Sequence, residues 1–174
     1  VWISTEVDSK REFTYAQLHD EVNRFAAMLR EQGVGKGDRV LIYMPMIPEA
    51  VFAMLATVRL GAIHSVVFGG FAANELASRI ADCRPRLIVA ASCGIERSRI
   101  VEYGPLLNRA LDQLGDEHPR CLILQRPQEE AAMVAGRDLD WAKARDQAIV
   151  SGRSVDCVPV AATDPLYILY TSGT

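Results

Sequence analysis

The stretch GDRVLIYMPMIPEAVFAMLATVRLGAIHSVVFGGF, residues 37–71, decides how the chain folds. Residues 39–44 (RVLIYM) form a short, nearly continuous apolar run, the pattern of a strand covered on both faces. Pro48 suits the first position of a helix, where its missing N–H costs nothing, and 49–60 carries that helix. A second buried strand is predicted at 63–67. The unit is therefore β-α-β. The alternation continues outward, with a helix at 73–83 and a strand at 86–91 (RLIVAA), then a helix at 105–114, a strand at 121–124 and a helix at 139–149. A loop at 152–159 precedes a last strand at 165–170, in which Leu166-Tyr167-Ile168-Leu169 reads as buried. Upstream, Thr14 and Gln17 have capping-box spacing, with Phe13 and Leu18 at the staple positions. Leu18, Val22, Phe25, Ala26 and Leu29 then recur on one helical stripe, and Gly33 and Gly35 end it. Residues 125–137 are predicted to be a surface excursion. Strands alternating with helices of about ten residues predict an α/β fold: a doubly wound, mostly parallel sheet with helices on both faces.

Such sheets bind ligands outside the carboxyl ends of their strands. Two loops occupy such ends. YTSGT at 170–174 has the build of a phosphate loop. Gly173 frees the backbone so that successive N–H groups can face one anion, and Thr171, Ser172 and Thr174 add hydroxyl donors. An ordinary Ser/Thr/Gly turn is the competing reading. FGGF at 68–71 is the other loop, where adjacent glycines admit a ligand or another stretch of backbone. Arg97 and Arg99, in SCGIERSRI (92–100), are expected at the start of a helix, where they could pair with phosphate oxygens or form a solvated cluster. GVGKGD at 33–38 follows a helix and precedes a strand, so it reads as a connecting turn and not as a nucleotide loop. In MPMIPEA (44–50) the prolines stop a strand and start a helix, and the methionines are expected to fill core gaps. His64 reads as a satisfied polar residue in an apolar strand. Ser172 has no identifiable base, and no catalytic triad or paired carboxylates stand out.

At 174 residues the chain has room for one full core. A net charge of −3 argues against a general nucleic-acid or anionic-membrane surface, while leaving room for a local phosphate site. No apolar run reaches the roughly 18 residues of a membrane span. Cys83, Cys93, Cys121 and Cys157 are widely spaced and lack metal-site spacing, so reduced core thiols and a cytoplasmic setting are expected, with no metal centre in the chain. The sequence opens on Val1 and stops inside YTSGT. Both ends read as cut, and the expectation is a piece of a larger protein.

Residues 37–71 resemble the N-terminal region of the short-chain acyl-CoA synthetases, and YILYTSGT (167–174) resembles the opening of the phosphate loop of the adenylate-forming superfamily. VAASCGIE (89–96), CLILQRPQ (121–128), GRDLDW (136–141) and DCVPVAATDPLYILYTSGT (156–174) resemble the propionyl-CoA synthetase branch more than the acetyl-CoA branch. The resemblance implies a partial N-terminal domain, residues 1–174, truncated inside the phosphate loop and lacking the C-terminal domain. It implies ATP, Mg²⁺, coenzyme A and a short-chain carboxylate as the parent enzyme's reaction partners. Thr171, Ser172, Gly173 and Thr174 would contact ATP phosphates. Phe68, Gly69 and Gly70 would lie beside the coenzyme A adenine, and Arg99 near its 3′-phosphate. Glu96 stands where the acetyl-CoA branch has an adenine-stacking arginine, so either the adjacent Arg97 substitutes as a coenzyme A-binding residue or the nucleotide contact is weaker there. The acyl pocket, the ribose-binding aspartate and the catalytic lysine belong to later parts of such enzymes, so no complete active site is expected in this chain. An acetyl-CoA synthetase fragment and a non-catalytic nucleotide-binding α/β module are the alternatives. The acetyl-CoA branch differs mainly in the acyl pocket, so only overall resemblance discriminates it; the module separates from either synthetase on whether the coding sequence continues the phosphate loop.

Overall fold

The computed structural model describes residues 1–4, 7–69, 71–96, 99–115, 118–151 and 154–171. In chain order these form β1 (Trp2–Ser4), β2 (Ser9–Arg11), α1 (Tyr15–Glu31), β3 (Arg39–Met44), α2 (Pro48–Arg59), β4 (Ile63–Phe68), α3 (Ala73–Cys83) and β5 (Leu87–Ala91). Then follow β6 (Cys93–Glu96), β7 (Arg99–Glu102), α4 (Tyr103–Asp112), β8 (Arg120–Leu124), β9 (Asp138–Asp140), α5 (Trp141–Ser151) and β10 (Tyr167–Ile168). Six strands make the main sheet in the order β10-β4-β3-β5-β8-β9, and every neighbouring pair is parallel. The doubly wound α/β expectation is met. The central strands β3 and β5 are buried along almost their whole length, which is why their sequences do not alternate. α1 packs on α2 and α5, and α3 packs on α4, so the two groups clothe opposite faces.

Local chemistry explains the first helix. Thr14 Oγ1 accepts from the Gln17 N–H at 3.2 Å, and Gln17 Oε1 accepts from the Thr14 N–H at 2.8 Å, closing the expected capping box. Phe25 stacks on Trp141 with ring centroids 4.4 Å apart, joining α1 to α5. The 33–38 segment is the expected turn, with Gly33 and Gly37 both at φ +80°. Arg137 and Asp138 form a two-point ion pair at 2.6 and 2.8 Å, almost wholly buried, that anchors the entry to β9.

Several expectations are corrected. Arg99 does not start a helix. β6 pairs antiparallel with β7, on which Arg99 lies, and α4 begins only at Tyr103. The β-branched Ile95, Ile100 and Val101 favour strand there. The last strand is not buried: only Tyr167 and Ile168 pair, with β4 alone, and Leu166, Tyr167 and Leu169 are each about half exposed or more (49%, 54% and 69%). An edge strand has neighbours on one side only, which the apolar run could not reveal. The fifth helix starts at Trp141 because 138–140 pair with β8. The β1–β2 hairpin was unforeseen. Met44 is buried but Met46 is exposed, so only one of this pair fills a core gap. Cys83, Cys93 and Cys121 are buried thiols, and Cys157 is exposed. Burial pushes Cys121 up to about 12 and Cys83 to about 11, which keeps both as inert thiols.

His64 is buried, yet its Nδ1 has no hydrogen-bond partner among the described residues, so the expected satisfied histidine is not found. Burial holds its pKa below the ordinary 6.5. The unfolded chain therefore takes up a proton below about pH 6.5 that the folded chain refuses, and stability falls as pH drops through that window. His64→Gln is expected to flatten this loss, whose limiting slope is about 1.4 kcal/mol per pH unit. Thermal midpoints of the two proteins between pH 7.5 and 5 check it.

Candidate functional site

The site begins with a change of direction in the sheet. From β3 the chain crosses through α2 to β4 on one side, then α3 carries it back past β3 to β5 on the other side. The loops leaving β3 and β5 diverge, and a crevice opens between them at the carboxyl ends of the strands. A cavity of about 270 Å³ lies there, lined by Pro45 and Met46 after β3, Phe68 at the end of β4, Glu96 and Tyr103 after β5, and Arg126 after β8.

The walls of this crevice carry charge. Arg126 is only 9% exposed, and its Nη1 donates to the Cys93 carbonyl at 2.9 Å. Its own N–H donates to Ser92 Oγ, which in turn donates to the Glu129 carbonyl. Glu96 Oε1 is buried without a hydrogen-bond partner among the described residues. A guanidinium and a carboxylate therefore face one small, partly apolar space, a setting suited to a ligand with both donor and acceptor edges.

Two tyrosines hold the mouth of the crevice in shape. Tyr43 Oη lies 3.1 Å from the Gly69 carbonyl and 3.3 Å from that of Phe71, and donates across them. Burial, with Tyr103 and Glu96 nearby, keeps its phenol above the ordinary range, so it stays a donor. Tyr103 is buried against Tyr43, ring centroids 4.9 Å apart. Its ring fills the space that side chains would need at Gly69 and Gly94. A Cβ on either glycine would lie 2.0 Å from Tyr103 Oη. These glycines serve close approach, since neither has positive φ.

Of the residues singled out from sequence, Phe68 ends β4 with its ring 56% exposed, edge-on to Phe71 at 6.1 Å. Gly69 lies in the turn that Tyr43 pins. Arg99 is exposed on β7, opposite Glu96 in register, and its guanidinium has no ion-pair or hydrogen-bond partner among the described residues. Thr171 is exposed just beyond β10. Gly70, Arg97, Ser172, Gly173 and Thr174 lie outside the described residues. The structure thus gathers the Phe68–Gly69 turn and the β6–β7 hairpin around one crevice. Because β10 runs parallel to β4, residue 171 leaves the sheet at the same end as Phe68. Sequence reasoning missed Tyr43, Tyr103 and Arg126. The segment read as a surface excursion contains the buried Arg126, and Gln125 bonds both the N–H and the carbonyl of Ala131 across it. The paired aromatic and glycine signal (Tyr103 with Gly69 and Gly94) is separated by up to 34 positions in the chain, so no local pattern could expose it.

Comparison with known proteins bears on the family and the fold. The family described as AMP-binding enzyme matches residues 2–174. An uncharacterized protein of Pseudomonas aeruginosa is 50% identical over the whole chain, which spans 27% of that protein. The human mitochondrial acyl-CoA synthetase short-chain family member 3 is 49% identical over the whole chain and 25% of its own length. A propionate–CoA ligase of Salmonella typhimurium is 49% identical over 99% of the chain and 27% of its length. Among solved structures, acetoacetyl-CoA synthetase from Streptomyces lividans superposes with a TM-score of 0.81 at 25% identity, covering 97% of this chain and 25% of that one. The chain therefore spans about a quarter of the length of the relatives it matches.

The wedged tyrosine makes a testable demand. Gly69→Ala and Gly94→Ala should each destabilise the protein by about 1–3 kcal/mol, the usual cost of overpacking. In a Tyr103→Leu background, which empties the contested space, the cost of each alanine should shrink. Urea midpoints of the single and double variants measure the coupling.

Proposed function

We propose that this chain, which belongs to the AMP-binding enzyme family, forms the first part of the large N-terminal domain of an AMP-forming short-chain acyl-CoA synthetase whose carboxylate is propionate. The observation that supports the reading is that an exposed aromatic (Phe68) and the exit of β10 toward Thr171 share one end of the sheet, while the exposed Arg99 lies in register with Glu96, which lines the crevice beside Phe68. Propionate is supported by the sequence stretches of the propionyl-CoA branch and by the 49% identity to a propionate–CoA ligase.

The reaction follows from what these groups can do. In the first step a carboxylate oxygen bonds to the α-phosphorus of ATP, and the bond from that phosphorus to the bridging oxygen of pyrophosphate breaks. Backbone N–H groups and hydroxyls of 171–174 supply donors for the phosphate oxygens during this charge shift. In the second step the thiolate of coenzyme A attacks the acyl carbonyl carbon and AMP departs. Phe68 offers a ring face for the adenine of coenzyme A, and Arg99 offers paired donors to its 3′-phosphate. Arg99 does this from a hairpin strand, without the helix N-terminus expected from sequence. Mg²⁺ accompanies ATP in such chemistry. Such an ion is held largely by the phosphate oxygens and one or two carboxylates; among the described residues no group of three His, Cys, Asp or Glu side chains comes together.

Two outcomes test the reading. In the full-length enzyme Arg99→Ala should raise the KM for coenzyme A about tenfold or more, the cost of a lost charged hydrogen bond being about 1.5–3 kcal/mol. Propionate-dependent pyrophosphate exchange should stay near wild type, and 3′-dephospho-coenzyme A should narrow the gap between variant and wild type. Loss of exchange and coenzyme A affinity together, or of neither, would remove Arg99 from the site. The isolated 174-residue chain, assayed with propionate, ATP, Mg²⁺ and coenzyme A, should release no pyrophosphate above background.

A further inference from the structure

β10 contributes only two residues to the sheet and touches a single neighbouring strand. Leu166, Tyr167 and Leu169 are largely exposed. The ladder alone is therefore a weak fastening for the residues that follow it. Tyr170 is held differently. Its Oη donates to Asp82 Oδ2 at 2.6 Å, and the Arg79 guanidinium lies 5.2 Å from its ring centroid. The same guanidinium lies 4.3 Å from the Phe71 ring. Arg79 and Asp82 are three positions apart on α3 and so share a face. Arg79 is itself fixed from the preceding turn, since its Nη1 donates to the Glu75 carbonyl at 3.0 Å and to Glu75 Oε2 at 2.9 Å.

We infer that Arg79 and Asp82 are positioning residues that clasp Tyr170 and thereby fix where the chain leaves β10 at Thr171, ahead of the stretch read as the ATP phosphate loop. Arg79 ties that segment to the Phe68–Phe71 turn through one cation shared by two rings, Phe71 and Tyr170. Asp82 fixes the rotation of the Tyr170 ring through its hydroxyl. Neither residue touches the reacting atoms. Glu75 engages one donor of Arg79, and two rings lie against its guanidinium. The inference rests on the reading of 171–174 as the ATP phosphate loop.

The test uses the full-length enzyme and Mg-ATP as the probe. The variants are Tyr170→Phe, Asp82→Ala, their double, Arg79→Leu and Arg79→Lys. ATP Kd is measured by titration calorimetry, which needs no turnover. ATP KM comes from pyrophosphate exchange, and coenzyme A KM from thioester formation starting with synthetic propionyl-adenylate. Tyr170→Phe and Asp82→Ala should each weaken ATP binding about three- to tenfold, and the double variant no more than either alone, because both remove one hydrogen bond. Their coenzyme A KM should stay at the wild-type value. Arg79→Leu should weaken ATP binding to a similar extent, about three- to tenfold, with Arg79→Lys restoring part of it. Thermal midpoints that fall while ATP Kd stays unchanged would overturn the inference and leave the clasp purely structural. Unchanged ATP Kd in Tyr170→Phe, the variant least able to disturb folding, would overturn it as well. A wild-type enzyme that binds no Mg-ATP would overturn the phosphate-loop reading itself, and the inference with it.

Discussion

Everything at the candidate site depends on the reversal of strand order around β3. Right-handed crossovers place β4 on one side of β3 and β5 on the other, with their helices on opposite faces. The two loops must part at that point, and no packing of the core can close the gap between them. The buried, unalternating strands β3 and β5 make this reversal rigid. Loops mounted there inherit the precision of the sheet although they carry little regular structure of their own.

The crevice is kept open by aromatic bulk, with glycine where that bulk must pass. Tyr103 occupies space that any side chain at Gly69 or Gly94 would contest, and Tyr43 fastens the adjoining turn through two carbonyls. Gly69 of FGGF therefore has at least one structural duty beside any ligand contact. This changes how such glycines are read: Gly69 lacks a side chain because a buried ring presses against it, whatever binds outside. The buried Arg126 and the Glu96 oxygen, unpartnered among the described residues, then supply polarity to a partly apolar recess.

The far edge of the sheet is organised on another principle. β10 is short and half exposed, and its exit is set by α3 through Asp82 and Arg79. Among the described residues no helix is long and apolar enough to cross a membrane. The exposed apolar residues at this edge are Tyr167 in β10 and Leu166 and Leu169 flanking it.

The sequence by itself determined the helices, most strands of the main sheet and the fold class. Helical periodicity, the Thr14–Gln17 box, Pro48 at a helix start and the unalternating runs at 39–44 and 86–91 all depend on neighbours within a few residues. The phosphate-loop and FGGF candidates were legible for the same reason, as glycines and hydroxyls following apolar strands. Tertiary structure alone decided that Arg99 lies on a hairpin, that the 166–169 run sits at an edge, and that Arg126 turns inward from a polar stretch. It also decided that Tyr103 meets Gly69 and Gly94, and that Tyr170 meets Arg79 and Asp82, partners up to 91 positions apart. Those facts depend on which strands become neighbours and which side chains then compete for one volume. Local spacing carries no record of either.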